Sequence, residues 1–415
     1  MTVSQYASLK IEAVLDLIYR LKDTDFPYSH SKDALDKVES VFNKLQRNLG
    51  RAEAKGDDLL ITTVCTRILE EIFRFLPVIG FILRSTNVRN AFEVHGPALR
   101  MSRELLGAET KLLVSSEWDY SPYTYRPIPF LKHFVFIGLP STESSNPLVI
   151  PLAGHELGHS VWQQYMLDTD LRPLLQESVI STIHTNRRTE FKQFFPDTSD
   201  EPSELGNSRS VQPAIGPVVA WATYQAQESF CDFFGLKLFG TCYLHALAYL
   251  LAPGMVWRPT FYPSLFTRFE NLVTAAKLYH IEVPDGFENM VMRHPLPEHW
   301  SEREKFLTSL ADHALQQNVG DIIDLAKAII KETGIQLPSD ETANEIVERF
   351  FKKTVPCHGK VGLANILNAA WKFIGENEVW AEYPQMRHNE RNCLMEIVLK
   401  SIEILEIEER APITP

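Results

Sequence analysis

The sequence predicts an α+β fold that is predominantly α-helical, and three observations predict it. Apolar residues recur at three- and four-residue spacing through most of the chain, as on a helix with one buried face. Only two short segments, Lys111–Ser116 and Lys132–Leu139, are β-branched and aromatic enough to read as strands. The composition, 45% hydrophobic and 23% charged over 415 residues, is that of a globular chain long enough for two or three modules.

In order along the chain, helices are expected over Ser4–Lys22, Ala34–Leu49, Asp58–Leu83 and Ala91–Leu106. Leu9, Ala13, Leu17 and Leu21 give the plainest stripe, and the polar stretch Arg51 to Asp58, with Gly56, reads as a break. The character changes near Thr110, where the two strands lie on either side of the proline- and tyrosine-rich SPYTYRPIP. Lys132–Leu139 is expected at the edge of the sheet, where an extended peptide could add as a further strand. Helices return over Pro151–Leu167, Leu171–Phe195, Pro217–Leu251 and Pro263–His280, and again from Trp300 to the end. Pro196–Pro213 is loop-like by composition and could gate a cleft between the helices on either side of it. The expected organisation is an N-terminal helical region (1–110), a central core (111–300) and a C-terminal helical region (301–415).

Charge narrows the function classes. The formal net charge is −12, and the chain is balanced as far as Glu109, so the acidic excess lies downstream. That argues against a nucleic-acid surface or a polybasic membrane contact. The N-terminal segment lacks the basic start and apolar stretch of a signal peptide, and the longest apolar runs are too short or too interrupted to span a bilayer. Five cysteines without a C-x-x-C pair make no disulfide framework. A soluble, cytoplasmic protein is expected.

The chemistry concentrates in Pro147–Trp162, which contains His155-Glu156-Leu157-Gly158-His159. On a helix, positions four apart share a face, so both imidazoles can reach one ion. Glu156 sits one residue further round, where it can hold a metal-bound water without ligating the metal. Two neutral nitrogens and a third ligand leave an open position, and a carboxylate takes the proton of the acidified water. From Val149 to Gln164 these three are the only ionisable residues that could serve, and an unpaired buried glutamate would otherwise be costly.

The third ligand decides the class. A metzincin would need glycine at Trp162 and histidine at Tyr165. A deformylase-type site would need an upstream cysteine, and the only one is Cys65, in an apolar helical stretch; the paired cysteines of a zinc deaminase are absent. Downstream, Glu228 and Asp232 are again four apart in an apolar helical segment, QESFCDFFGL. Two buried acids on one side are uncomfortable without a cation. Glu228 as metal ligand and Asp232 as hydrogen-bond partner of a ligand histidine would account for both. Cys231, between them, reads as a small buried hydrophobe.

His155, Glu156, His159, Glu228 and Asp232 together resemble the signature of the gluzincins, the thermolysin-like zinc metallopeptidases. Glu228 follows His159 by 69 residues, a longer gap than in thermolysin. In this the chain looks more like soluble relatives of the prenyl-protein and heat-shock membrane metallopeptidases. In that family a later helix opens with His-Pro and carries an arginine. Here Tyr262-Pro263 and Arg268 stand at similar spacing, and His294-Pro295 is a looser match. The resemblance covers roughly residues 110–300. It implies a zincin-like core with a small sheet above the His155–His159 helix, a zinc ion (Zn2+) held by His155, His159 and Glu228, and Glu156 as general base in the cleavage of peptides or proteins.

Such chemistry also needs a donor for the oxyanion of the tetrahedral intermediate. Tyr262 is the first candidate and His294 the second; each also reads blandly, as a residue before a helix-starting proline and as a loop residue. His184, His245 and His280 read as structural. Two rivals stand beside the peptidase: a catalytically silent gluzincin scaffold acting as a protein-interaction module, and a helical adaptor that works through its terminal regions.

Overall fold

The computed structural model describes residues 1–87, 91–118, 121–125, 128, 130–143, 146–196, 198, 212–254, 258–356, 361–376 and 387–410. The chain is predominantly helical with a small three-stranded mixed sheet, and it divides into two compact units. One comprises Met1–Arg103 with Gly107–Ser145, the other Glu104–Leu106 with Asn146–Pro415.

The first unit begins with α1 (Val3–Lys22), α2 (His30–Lys55) and α3 (Asp58–Arg84). Thr2 and Gln5 form a capping box at the start of α1. The break between α2 and α3 is only two residues wide. Gly56 ends α2 at φ 65°, a left-handed conformation that costs glycine little, and the Asp57 side chain accepts from the Leu59 and Leu60 N–H groups. On α1 the buried face is Ile11, Val14, Leu15 and Ile18, whereas Leu9 of the expected stripe is 51% exposed. Both rows have helical spacing; packing against α2 and α3 buries the row with Ile11 and Ile18, and of the expected stripe Leu21 is buried as well.

After α4 (Ala91–Leu106) come β1 (Lys111–Glu117), β2 (Tyr123–Thr124) and β3 (Phe134–Pro140), in the sheet order β1-β3-β2. The strand expected at the edge is therefore the central one. β3 runs parallel to β1 and antiparallel to β2, which forms inside the proline- and tyrosine-rich stretch and pairs with Gly138 and Ile137. Gly138 permits this: a Cβ there would lie 2.8 Å from the Tyr123 ring. The outer edge of β1 is covered by side chains, since the Tyr28 hydroxyl donates to Val114 O (2.9 Å) and accepts from Val114 N (3.1 Å). Phe42, Phe75 and Phe81 share one core with Leu113 and Phe136, so helices and strands on either side of Thr110 pack together.

The second unit opens with a 3-10 turn (Pro147–Leu152) and continues with α5 (Ala153–Gln164), α6 (Leu167–Thr185), α7 (Arg188–Phe194), α8 (Gln212–Phe239), α9 (Thr241–Leu251) and α10 (Leu265–Tyr279). Beyond Trp300 follow α11 (Glu302–Gln317), α12 (Val319–Thr333), α13 (Asp340–Phe351), α14 (Leu363–Glu376) and α15 (Arg387–Arg410). Helix α8 is the axis of this unit, with α5, α6, α10, α11 and α12 packed around it. Most of its length is buried, and Phe230, Phe233, Phe234 and Leu236 are fully buried, while Gln225, Glu228, Ser229 and Asp232 are buried polar residues on the same helix. The single helix expected over 217–251 is two, because Gly240 (φ 68°, ψ −146°) breaks it between α8 and α9. Apart from Pro196, Thr198, Gln212 and Pro213, the expected connector Pro196–Pro213 lies outside the described residues. Among the described residues no helix is long and apolar enough to cross a membrane. The sheet belongs to the first unit and α5 to the second.

Candidate metal centre

Two helices supply the site, and glycines set how closely they meet. A Cβ at Gly158 of α5 would lie 2.9 Å from the Cys231 Cα of α8, and one at Gly154 would lie 3.0 Å from the Gly235 Cα. Gly154 and Gly158 are four apart on one helix, and Cys231 and Gly235 four apart on the other, so the two backbones touch along one stripe and the side chains beside it converge. Those side chains are His155 and His159 from α5, and Glu228 and Asp232 from α8.

His155 Nε2 lies 3.5 Å from Glu228 Oε2, and His159 Nε2 lies 3.7 Å from Glu228 Oε1. Glu228 is 1% exposed, and its Oε1 has no hydrogen-bond partner. Asp232 is equally buried but fully engaged. It accepts from His155 Nδ1 at 3.0 Å, from Arg268 at 2.8 Å (Nε) and 2.7 Å (Nη2), and from the Tyr243 hydroxyl at 2.8 Å. An ionised carboxylate only accepts, so His155 carries a proton on Nδ1, and its Nε2 is turned towards Glu228 and His159. Glu156, 4% exposed, follows one residue round the helix.

Electrostatics separate the roles. Burial works against an ionised Asp232, but the Arg268 guanidinium and the His155 hydrogen bond hold its carboxyl far below the usual carboxylate range. Burial likewise opposes charge on Arg268, and Asp232 keeps the guanidinium protonated. Burial raises the Glu156 carboxyl to about 7, with His155 opposing and Glu228 reinforcing the rise. Burial lowers the His159 imidazole to about 4, helped by the nearby His155 charge. For His155, burial is outweighed by Asp232 and Glu228, which push it up to about 10. Glu228 stays below its ordinary value against the cost of burial, because the imidazoles and Arg268 favour its charge.

The donor set fits a divalent cation. Without an ion, protonated His155 and Arg268 balance Glu228 and Asp232; a divalent cation would take the place of the His155 proton and offset the charge that Glu156 adds when it ionises. Two imidazole nitrogens and one carboxylate oxygen suit zinc. Cys231 has a second aspect: its Sγ and one nitrogen of each of His155 and His159 all lie within 4.8 Å of one another. The thiol is completely buried against the Gly158 backbone, and burial raises its pKa well above the ordinary value. Glu228 presents one oxygen towards each Nε2 atom, and its Oε1 is the unsatisfied one.

Tyr262 lies just ahead of α10, which Ser264 caps. Its ring is 5.2 Å from that of Tyr224, one helical turn before Glu228 on α8. Burial raises the phenol's pKa, and the Glu228 carboxylate and a hydrogen bond with the Tyr224 phenol raise it further, so Tyr262 lies within electrostatic reach of Glu228. His294 lies in the loop before α11, and no hydrogen bond joins it to the five motif residues among those described. The motifs alone did not assign Arg268 or Tyr243 to the site. Arg268 carried a faint signal in the Tyr262-Pro263 motif. Tyr243 carried none, although Gly235 exists to admit it, since a Cβ there would lie 2.5 Å from the Tyr243 ring. No known protein family, no curated protein and no solved structure matches the chain.

Proposed function

We propose that the protein is a zinc-dependent metallopeptidase of the gluzincin type, with a zincin-like core, acting on peptides or proteins in the cytoplasm. The observation that carries this reading is Glu228 Oε1, buried and without a hydrogen bond, facing the His159 imidazole while its partner oxygen faces His155. Such an atom is costly unless something else satisfies it. His155, His159 and Glu228 would hold the ion, which supplies Lewis acidity, polarising a carbonyl oxygen and acidifying water. Asp232, fixed by Arg268 and Tyr243, keeps His155 in the tautomer that ligates. Glu156 takes a proton from the attacking water and returns it to the leaving amine, a role suited to a carboxyl that burial brings near neutrality. The Tyr262 phenol, held neutral by burial, donates a hydrogen bond to the developing oxyanion.

Cys231 favours a second reading. A thiol this close to both imidazoles could complete a closed four-donor set, and closed sites are structural, so the chain would then be a catalytically silent gluzincin scaffold serving as an interaction module. Elemental analysis together with the Glu156→Gln variant separates the two. The peptidase reading expects about one zinc per chain, kept in the variant, with turnover of labelled casein lowered on the order of 10²–10⁴-fold. Zinc without turnover in the wild type supports the scaffold, and absence of zinc overturns both.

A further inference from the structure

We propose that Arg258 is a positioning residue that holds the Tyr262 phenol at the metal site through a clamp anchored on the ligand helix. The proposal rests on the peptidase reading and extends it to a group that touches neither metal nor substrate.

The clamp is built from three elements. Arg258 Nε donates to the Tyr262 carbonyl oxygen at 2.6 Å, while Nη1 donates to Asp312 Oδ2 at 3.0 Å and Nη2 to Asp312 Oδ1. Asp312 belongs to α11, and its Oδ1 also accepts from Gln225 Nε2 at 2.9 Å. Gln225 is fully buried on α8, one turn before Ser229 and beside Tyr224, whose ring meets that of Tyr262. One guanidinium thus ties the backbone of Tyr262 to a carboxylate that is itself tied to the helix bearing Glu228. The Tyr262 N–H is used as well, donating to Pro259 O at 3.1 Å, so the turn from 258 to 262 is closed on itself.

The geometry explains why the residue is arginine. The planar fork presents two donors to one carboxylate while Nε faces a third acceptor, whereas a lysine ammonium can satisfy the charge but not that fixed division. The Arg258 side chain is 12% exposed, so its hydrogen bonds are not shared freely with water. A phenol that must meet charge developing on a substrate oxygen has to be in place beforehand, and small displacements of such groups are expensive.

The test is a cycle of Arg258→Lys, Tyr262→Phe and the double variant in the full-length zinc protein, read as kcat and KM on labelled casein with zinc content measured in parallel. Both single variants should keep zinc and KM and lose about 10- to 100-fold in kcat. The double variant should be no worse than Tyr262→Phe, because Arg258 acts through a hydroxyl that is then absent. Asp312→Asn, which keeps the shape of the clamp and weakens it, should repeat the Arg258→Lys loss, and it carries the test if Arg258→Lys does not fold. Zinc and turnover in the wild type with additive losses, or with unchanged kcat in both clamp variants, overturn the positioning role alone. A wild type without zinc or without turnover overturns the peptidase reading, and this role with it.

Discussion

Each unit buries a glutamate next to positively charged or polar partners, and the two are finished differently. In the first unit Glu117 is 5% exposed and both of its oxygens are taken, Oε2 by Arg84 Nε at 2.8 Å and Oε1 by the Ser115 hydroxyl. In the second, Glu228 is more deeply buried, one oxygen has no partner, and the nearest imidazole nitrogens stand at 3.5 and 3.7 Å, beyond a good hydrogen bond. Glu117 is balanced by protein atoms alone, so it holds a sheet end in place. Glu228 lacks that balance, because one of its oxygens has no partner. Burial beside a cation therefore does not by itself mark a site, and what sets Glu228 apart from Glu117 is an unsatisfied oxygen among converging donors.

That contrast can be broken most directly by changing each glutamate to its amide. Glu228→Gln should abolish zinc binding, because the amide cannot replace an anionic ligand. Glu117→Gln should leave zinc content untouched and lower stability by about 1–3 kcal/mol, the cost of weakening a charge-assisted buried bond. Elemental analysis and urea unfolding on both variants give the comparison. Equal zinc loss in the two would mean that the distinction drawn from their partners is false.

A smaller effect is expected one bond further out. Asp232→Asn keeps the shape around His155 but removes the anion that fixes its tautomer, so zinc affinity should fall about 10- to 100-fold in a competition titration with a chromogenic chelator. Wild-type affinity in this variant would reduce Asp232 to a structural partner of Arg268, which would bring it closer to Glu117 than to Glu228.

The sequence exposed the parts of this site that are local. His155 with His159, and Glu228 with Asp232, are each four apart on one helix, and helical geometry alone brings each pair to one face. Helix α8 was legible as largely buried because the segment around Glu228 and Asp232 is too apolar for an exposed face. What could not be read was tertiary. Arg268 and Tyr243 reach Asp232 from other helices, and the Arg258–Asp312 clamp joins residues 54 apart in the chain. The order of the strands was hidden for a similar reason. β2 is two residues long, within a stretch whose prolines disguise it, and without it β3 looks like an edge. On α1 two stripes had the right spacing, and only the neighbouring helices decided that Ile11 and Ile18, not Leu9, would be buried.

The smallest test of the comparison uses one substitution, glycine to alanine, in the two units. Gly50 lies on the exposed side of α2, and a Cβ there would meet nothing within 4 Å. Alanine at that position narrows the unfolded ensemble and suits a helix, so Gly50→Ala should stabilise by about 0.4–1 kcal/mol and leave zinc affinity unchanged. Gly158 gains the same propensity but not the same space, because its Cβ would lie 2.9 Å from the Cys231 Cα, and backbone yields less readily than a side-chain tip. Gly158→Ala should therefore destabilise by about 1–3 kcal/mol, the usual cost of overpacking. It should also push α5 away from α8, moving His155 and His159 from Glu228 and weakening zinc binding without removing any ligand. Paired urea titrations with and without added zinc read both consequences. A stabilised Gly158→Ala protein with unaltered zinc affinity would show that the close crossing of the two helices does not set the geometry of the site.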